Sequence, residues 1–472
     1  MKKLSLLLLT SILFISAKTQ SVGFNSTGAV PDPKAMLDIA STKSGLLIPR
    51  MTTSQRDSIV TPPNSLQIYN LTTNTLDVYR STHWESMNFK SPSSNQLFVY
   101  SLSDLPTPSG SAITLDSTKI YIFSGFVYIG SNYINLNGAG IRGLDPVKDG
   151  IISTATGGIL RSVDKDVLIQ QLNVVPYSSA TKAYDFSDGT GTKFCFLLLG
   201  SAVTENAITS LGVGQISGFK AITLFNTYWR CSDGVKIAGH SERVALLESH
   251  LSGITTGAGI EFLTGGVISD LDISNNYFTY TGQIGVKVNT GVTIDRGRMT
   301  TNMFRNVGTN ISGFDSYTPG WDLRQNSYIP NSRAYAFIFM NSNPTATSLP
   351  VVNTYYKIAG TTTMTKDHRF TTANDRLTYT GKDTMTAKVL VVLGAFAPND
   401  NSSFSIAIAK NGVIIPTPNG SMAPSSNNQS FQITLATEVD MASNDYIEVF
   451  IRTNNSNSYF IKVDDLQFRA MD

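Results

Sequence analysis

The chain has 472 residues, and 36 Lys plus Arg against 34 Asp plus Glu leave a formal net charge of +2. That balance supplies no electrostatic attraction for nucleic acid or an anionic membrane. Charged residues are only 15%, with Ser, Thr, Asn and Gly in their place, which argues against a helical protein, while hydrophobics at 41% argue against disorder.

Taken in chain order, the first twenty residues read MKKLSLLLLTSILFISAKTQ. Lys2 and Lys3 precede an apolar run from Leu4 to Ile15, and Ser16-Ala17 supply small residues for cleavage, the pattern of a secretion signal. The run falls short of the roughly 20 residues a membrane span needs, so no span is expected after cleavage. Export places the function outside the cell.

Residues 21–95 form a first small β module. Met36–Ile39 and Gly45–Ile48 are short apolar runs, Thr53–Ile59 suits one helix stopped by Pro62-Pro63, and Leu66–Tyr69 with Leu76–Tyr79 alternate as a hairpin does. So few core positions call for oligomerisation or docking. The text from Ala35 to Trp84, AMLDI, GLLIPRMT, IYN and the closing Trp, resembles an N-terminal module of secreted surface proteins in Bacteroidota, also found at the head of phage tail-fibre-like proteins. The resemblance implies attachment or spacing and brings no catalytic residue.

Residues 96–330 repeat. The lines AITLFNTYW (221–229), RVALLESHL (243–251), DLDISNNYF (270–278) and RGRMTTNMF (296–304) stack with their ends 22, 27 and 26 residues apart. Each is followed by Gly-containing turns and short strands, the sequence form of a right-handed parallel β-helix of roughly eight to ten coils. Leu224, Leu246, Ile273 and Met299 form one inward column, and Trp229, Leu251, Phe278 and Phe304 a second. Asn226, Glu248, Asn275 and Thr301 form a polar column suited to an amide ladder at the turns. The rungs resemble the pectate-lyase-like β-helix family, found in polysaccharide lyases and hydrolases and in phage tail spikes.

Residues 331–472 hold about eight separated strands, from Thr354–Ile358 to Phe460–Phe468, as an antiparallel jelly-roll sandwich does. YYKIAGTTT, RLTYTG, AIAKNG and NDYIEVFIRTN resemble C1q/TNF-like jelly rolls that end many phage fibre proteins. That family is typically trimeric, which makes Tyr446, Val449, Ile451 and Tyr459 candidates for a three-fold axis. The fold class expected is therefore all-β: a right-handed parallel β-helix followed by an antiparallel jelly roll, with a small N-terminal β module.

Chemistry has few places to sit. Cys195 and Cys231 lie in no C-x-x-C pattern and read as buried thiols sooner than as a bridge, and the four histidines (His83, His240, His250, His368) suit no metal, so no cofactor or metal is expected. Asp270 and Asp272 point outward together, as the paired carboxylates of a glycoside hydrolase would, but Arg243, Arg296 and Arg298 one coil away make a surface charge ladder the preferred reading. Asp164 and Asp166 repeat the spacing around Lys165, which would face inward unless both acids do. Tyr228, Tyr277, Tyr280 and Trp321, with Tyr317 near the end of the rod, are the candidate ligand-binding aromatics, their alternative being packing against a neighbouring chain. The expectation is a homotrimeric, tail-fibre-like adhesin at a cell or virion surface that recognises a glycan or receptor. The alternative is a secreted polysaccharide depolymerase working from the β-helix through Asp270 and Asp272.

Overall fold

Short runs of β-branched and aromatic residues, punctuated by Gly, Asn and Asp, can only build strands joined by tight turns. The computed structural model describes residues 21–87, 95–199, 202–204, 210–279, 283–397, 403–416, 420–424, 426, 429–455 and 459–472. The expected signal at residues 1–20 lies outside the described residues, as do Tyr280 and the side chain of Tyr459. Among the described residues no helix is long and apolar enough to cross a membrane. The chain divides into residues 1–94 and residues 95–472.

In the first unit Val22–Asn25 pairs in parallel with Leu37–Ala40, and a four-stranded sheet runs in the order Arg50–Met51, Gln67–Asn70, Thr75–Arg80, His83–Met87. The helix is a single turn, Thr53–Asp57, started by a capping box between Thr52 and Gln55. It stops at Asp57, short of the expected Ile59, and Gly45–Ile48 makes no strand. The buried centre is polar: Asp77 accepts hydrogen bonds from Arg56 (2.6 Å), Asn70 (2.9 Å), Thr75 (2.7 Å) and Ser86 (2.8 Å). Phe24, Val30, Met36, Leu46, Leu47 and Val60 instead stand exposed on this unit.

In the second unit the chain winds through a parallel β-solenoid of about nine turns. Three sheets make its walls. Face I has eight strands from Phe126–Tyr128 to Met303–Arg305, face II nine from Ala112–Thr114 to Thr309–Ser312, and face III ten from Gln96–Val99 to Trp321–Arg324. The expected inward columns form. Leu224 pairs with Leu246, Leu246 with Ile273 and Ile273 with Met299, while Trp229, Leu251, Phe278 and Phe304 stack on face I. All eight side chains lie in one core that runs from Val99 to Ile329.

The polar ladder is offset by one residue from the column expected. Asn226, Glu248, Asn275 and Thr301 take left-handed backbone (φ 51, 53, 59 and 56°) and face solvent at the corner between faces III and I. The residue after each turns inward instead. Asn276 Nδ2 donates to Asn302 Oδ1 (3.0 Å) and Asn302 Nδ2 to Asn326 Oδ1 (2.8 Å), continuing the Thr227–Ser249 pair (2.9 Å) below them. A left-handed residue reverses the alternation of a strand, so the buried position moves one place along.

The solenoid is followed by two antiparallel sheets that share one apolar core. One runs Thr363–His368, Tyr335–Met340, Tyr459–Met471, Met385–Ala397, Gln429–Met441; the other runs Phe370–Ala373, Arg376–Tyr379, Tyr446–Thr453, Phe404–Lys410, Val413–Ile414. The Asn411-Gly412 turn has both residues left-handed (φ 52 and 80°), as a type I′ hairpin requires. Val449 and Ile451, proposed above for a three-fold axis, are 0% exposed inside the sandwich and so cannot meet another chain. Tyr446 is half-buried under the Arg376 guanidinium, 3.9 Å from its ring centre.

The sandwich caps the solenoid. A parallel stack ends in unpaired carbonyls, and here Arg369 donates to Ser316 O (3.3 Å) and Trp321 O, while Lys382 donates to Ile294 O (3.2 Å) and Asp295 O (3.1 Å). Tyr317 stacks on His368 at 3.6 Å in the same junction.

Candidate functional site

The outer faces of the solenoid present two ordered columns of side chains, because every outward residue sits beside its counterpart one coil, about 4.8 Å, away. On face III the column is ionic. Asp270 lies between Arg243 (4.0 Å) and Arg296 (3.0 Å), and Asp272 pairs with Arg298. Burial by itself would push the Asp272 carboxyl up, but hydrogen bonds from Arg298 and Ser274 hold it below the usual carboxylate range. The two carboxylates therefore stand in an arginine ladder, and Asp322 and Arg324 extend it by one coil.

Asp164 and Asp166 are used structurally. Asp164 Oδ1 accepts from Gly189 N at 2.6 Å and Asp166 Oδ1 from Phe194 N at 2.8 Å, each tying one coil to the next. Lys165, Asp164 and Asp166 are all exposed, so neither the lysine nor the pair of acids turns inward, since Asp164 takes left-handed backbone (φ 52°) and breaks the alternation. Cys195 and Cys231 are buried thiols not joined in a disulfide, and burial pushes the Cys195 thiol far up. Glu261 on face II is bound by Lys287 (2.8 Å) and Asn289 (2.9 Å). No group of His, Cys, Asp or Glu among the described residues could hold a metal ion.

Face I is different in kind. Tyr228 pairs with His250, His250 with Tyr277 and Tyr277 with Met303, all pointing outward while Trp229, Leu251, Phe278 and Phe304 point in. The Tyr228 and His250 rings meet edge-on at 5.2 Å, and His250 and Tyr277 are tilted against each other at 4.9 Å. Tyr228 is 40% and Met303 53% exposed, with His250 and Tyr277 half-buried between them. His250 Nε2 lies 3.0 Å from Thr279 Oγ1, and burial pulls its imidazole below the ordinary range, so at neutral pH it packs as an uncharged ring. The result is a continuous aromatic stripe with hydroxyl and imidazole edges, able to take a flat apolar surface and hydrogen-bond at its rim.

Of the aromatics singled out in the sequence, face I brings Tyr228 and Tyr277 together, whereas Trp321 is removed from the surface. Trp321 is 5% exposed, stacked on Phe314 at 3.8 Å and packed over Gly297, where a Cβ would come within 2.6 Å of its ring. His250 and Met303 were missed in the sequence, although stepping from Tyr228 by the coil lengths of 22, 27 and 26 residues reaches His250, Tyr277 and Met303.

Residues 23–101 match the family described as phage tail like trimerisation region. No curated protein matches the chain. Among solved structures, Eiger TNF from S. frugiperda aligns at 8% identity over 29% of this chain and 92% of its own, with a TM-score of 0.22. Murine APRIL aligns at 10% identity over 29% and 98%, with a TM-score of 0.20. The enzymatically active domain of bacteriophage CBA120 tailspike protein 2 aligns at 11% identity over 73% and 75%, with a TM-score of 0.24. The chain thus joins a region similar to phage tail trimerisation regions to a β-solenoid and two antiparallel sheets.

Proposed function

We propose that this protein is a homotrimeric tail-fibre-like adhesin of a virion or cell surface, and that face I of its solenoid binds a glycan. The Tyr228–His250–Tyr277 stripe carries this reading: half-exposed rings held in register by a rigid wall suit the apolar faces of successive sugars. The trimer is supported by the match over residues 23–101 and by the apolar side chains that the first unit leaves exposed. The strand order of the carboxy-terminal sheets is compatible with a C1q/TNF-like jelly roll. The expected signal at residues 1–20 would carry the chain out of the cell.

A glycan array read with the full chain and with Tyr228→Ala plus Tyr277→Ala tests this. Loss of about 1–3 kcal/mol, roughly five- to 150-fold in affinity, is expected with the assembly intact. If the substitutions lower the solution mass and leave glycan binding unchanged, the stripe is a seam between chains. The depolymerase alternative rests on Asp270 and Asp272, whose arginine partners suit a structural ladder. Polymer cleavage by the parent chain that disappears in Asp270→Asn plus Asp272→Asn would restore it.

A further inference from the structure

The walls of the solenoid differ in how their charges are compensated. On face III Arg243, Arg296, Arg298 and Arg324 each face an aspartate. The eight strands of face I carry no Asp or Glu at all, and their only Arg or Lys residues are Arg230 and Arg305. Among the described residues neither arginine has an ion-pair partner, and both are exposed. They occupy one outward column, Arg230–Ser252–Thr279–Arg305, beside the Tyr228–His250–Tyr277–Met303 stripe. Three coils separate them, about 14 Å along the face, the span of a short oligosaccharide. Between them lie Ser252 and Thr279, whose hydroxyls donate to Trp229 O (3.1 Å) and Leu251 O (3.3 Å), and the Arg305 guanidinium lies against the Tyr277 hydroxyl, linking the two columns. Beyond Arg305 the surface dips into a depression of about 440 Å³ lined by Asn306, Gly308, Asn310 and Tyr328.

From this uncompensated pair beside an aromatic stripe we infer that face I takes an acidic polysaccharide, whose carboxylate or sulfate groups meet Arg230 and Arg305 while its rings lie on Tyr228, His250 and Tyr277. An arginine fork recognises planar oxyanions with two parallel hydrogen bonds, and strands free of carboxylates impose no repulsion on a polyanion. The inference rests on the glycan-binding reading of the same face and adds the charge of the ligand.

The test uses the full chain against alginate, hyaluronan and carboxymethyl-dextran, with unmodified dextran and galactomannan as neutral members. Selective binding of an acidic member, weakened by added salt and reduced at least tenfold in Arg230→Gln plus Arg305→Gln, is expected. Both arginines are exposed, so the variant keeps the parent's melting temperature. Binding of neutral members that ignores the arginine changes but is lost in Tyr228→Ala would overturn the inference and leave the glycan reading standing. Binding to no member would overturn both.

Discussion

Asp375 is the residue whose environment departs furthest from its ordinary one among the sandwich carboxylates. It is 1% exposed, holds left-handed backbone (φ 58°) in the turn between Phe370–Ala373 and Arg376–Tyr379, and leaves Oδ1 without a partner. Burial pushes its carboxyl up to about 6, with Lys357 pulling it down and Glu448 pushing it further up. The folded protein thus holds this proton more tightly than the unfolded chain does. Its contribution to stability is fullest below about pH 4, declines as pH rises toward about 6, and is constant above that. Asp375→Asn, which keeps the shape and tolerates the backbone, should raise stability at pH 7 by up to about 3 kcal/mol and change it far less at pH 4. Denaturant unfolding at the two pH values checks this, and a gain no larger at pH 7 than at pH 4 would refute it.

At the scale of the element, the solenoid corner between faces III and I combines an exposed left-handed residue with a buried polar one. Asn302 is 1% exposed, accepts from Asn276 and donates to Ile273 O (2.7 Å) and Asn326. Asn302→Ala strips partners from buried amides on both neighbouring coils and should cost about 3 kcal/mol. The adjacent Thr301 is a β-branched residue at φ 56°, so Thr301→Asn should stabilise by about 1 kcal/mol. Opposite signs from neighbouring residues in thermal melts are the expected signature. Equal losses would place the ladder at Thr301. The four repeat lines were enough to read the inward columns, because alternation within a strand is local. The ladder position was not legible, because a left-handed corner reverses that alternation without leaving a residue type that demands it.

For the whole molecule, the question is what covers the apolar residues of the first unit. Phe24, Met36, Leu46 and Leu47 are 62, 71, 64 and 76% exposed, more than a soluble module of this size sustains alone. Light scattering after size exclusion should therefore give three chain masses, and a monomer at micromolar concentration would remove the trimer. The capping of the last coil by Arg369 and Lys382 belongs to this scale too. Arg369→Ala should lower the melting temperature of the solenoid by exposing Trp321 O and Ser316 O, a loss of about 1–3 kcal/mol.

Composition, the 22- to 27-residue period and the two inward columns were determined by the sequence by itself, since strand alternation and coil length follow from neighbours along the chain. The Arg243–Asp270–Arg296 ladder was legible for the same reason: each residue falls one coil from the next in text already aligned. The tertiary structure alone decided the upstream register, where Ile120 meets Gly140, Ile141 meets Ile169 and Val167 meets Cys195 across coils of uneven length. It also decided that Trp321 is buried, because a glycine one coil away leaves the room its ring fills. Finally, it gathered His250 between two tyrosines, beside two arginines, on a wall whose strands carry no carboxylates. Which outward side chains become neighbours depends on closure of the coil, a property of residues far apart in sequence.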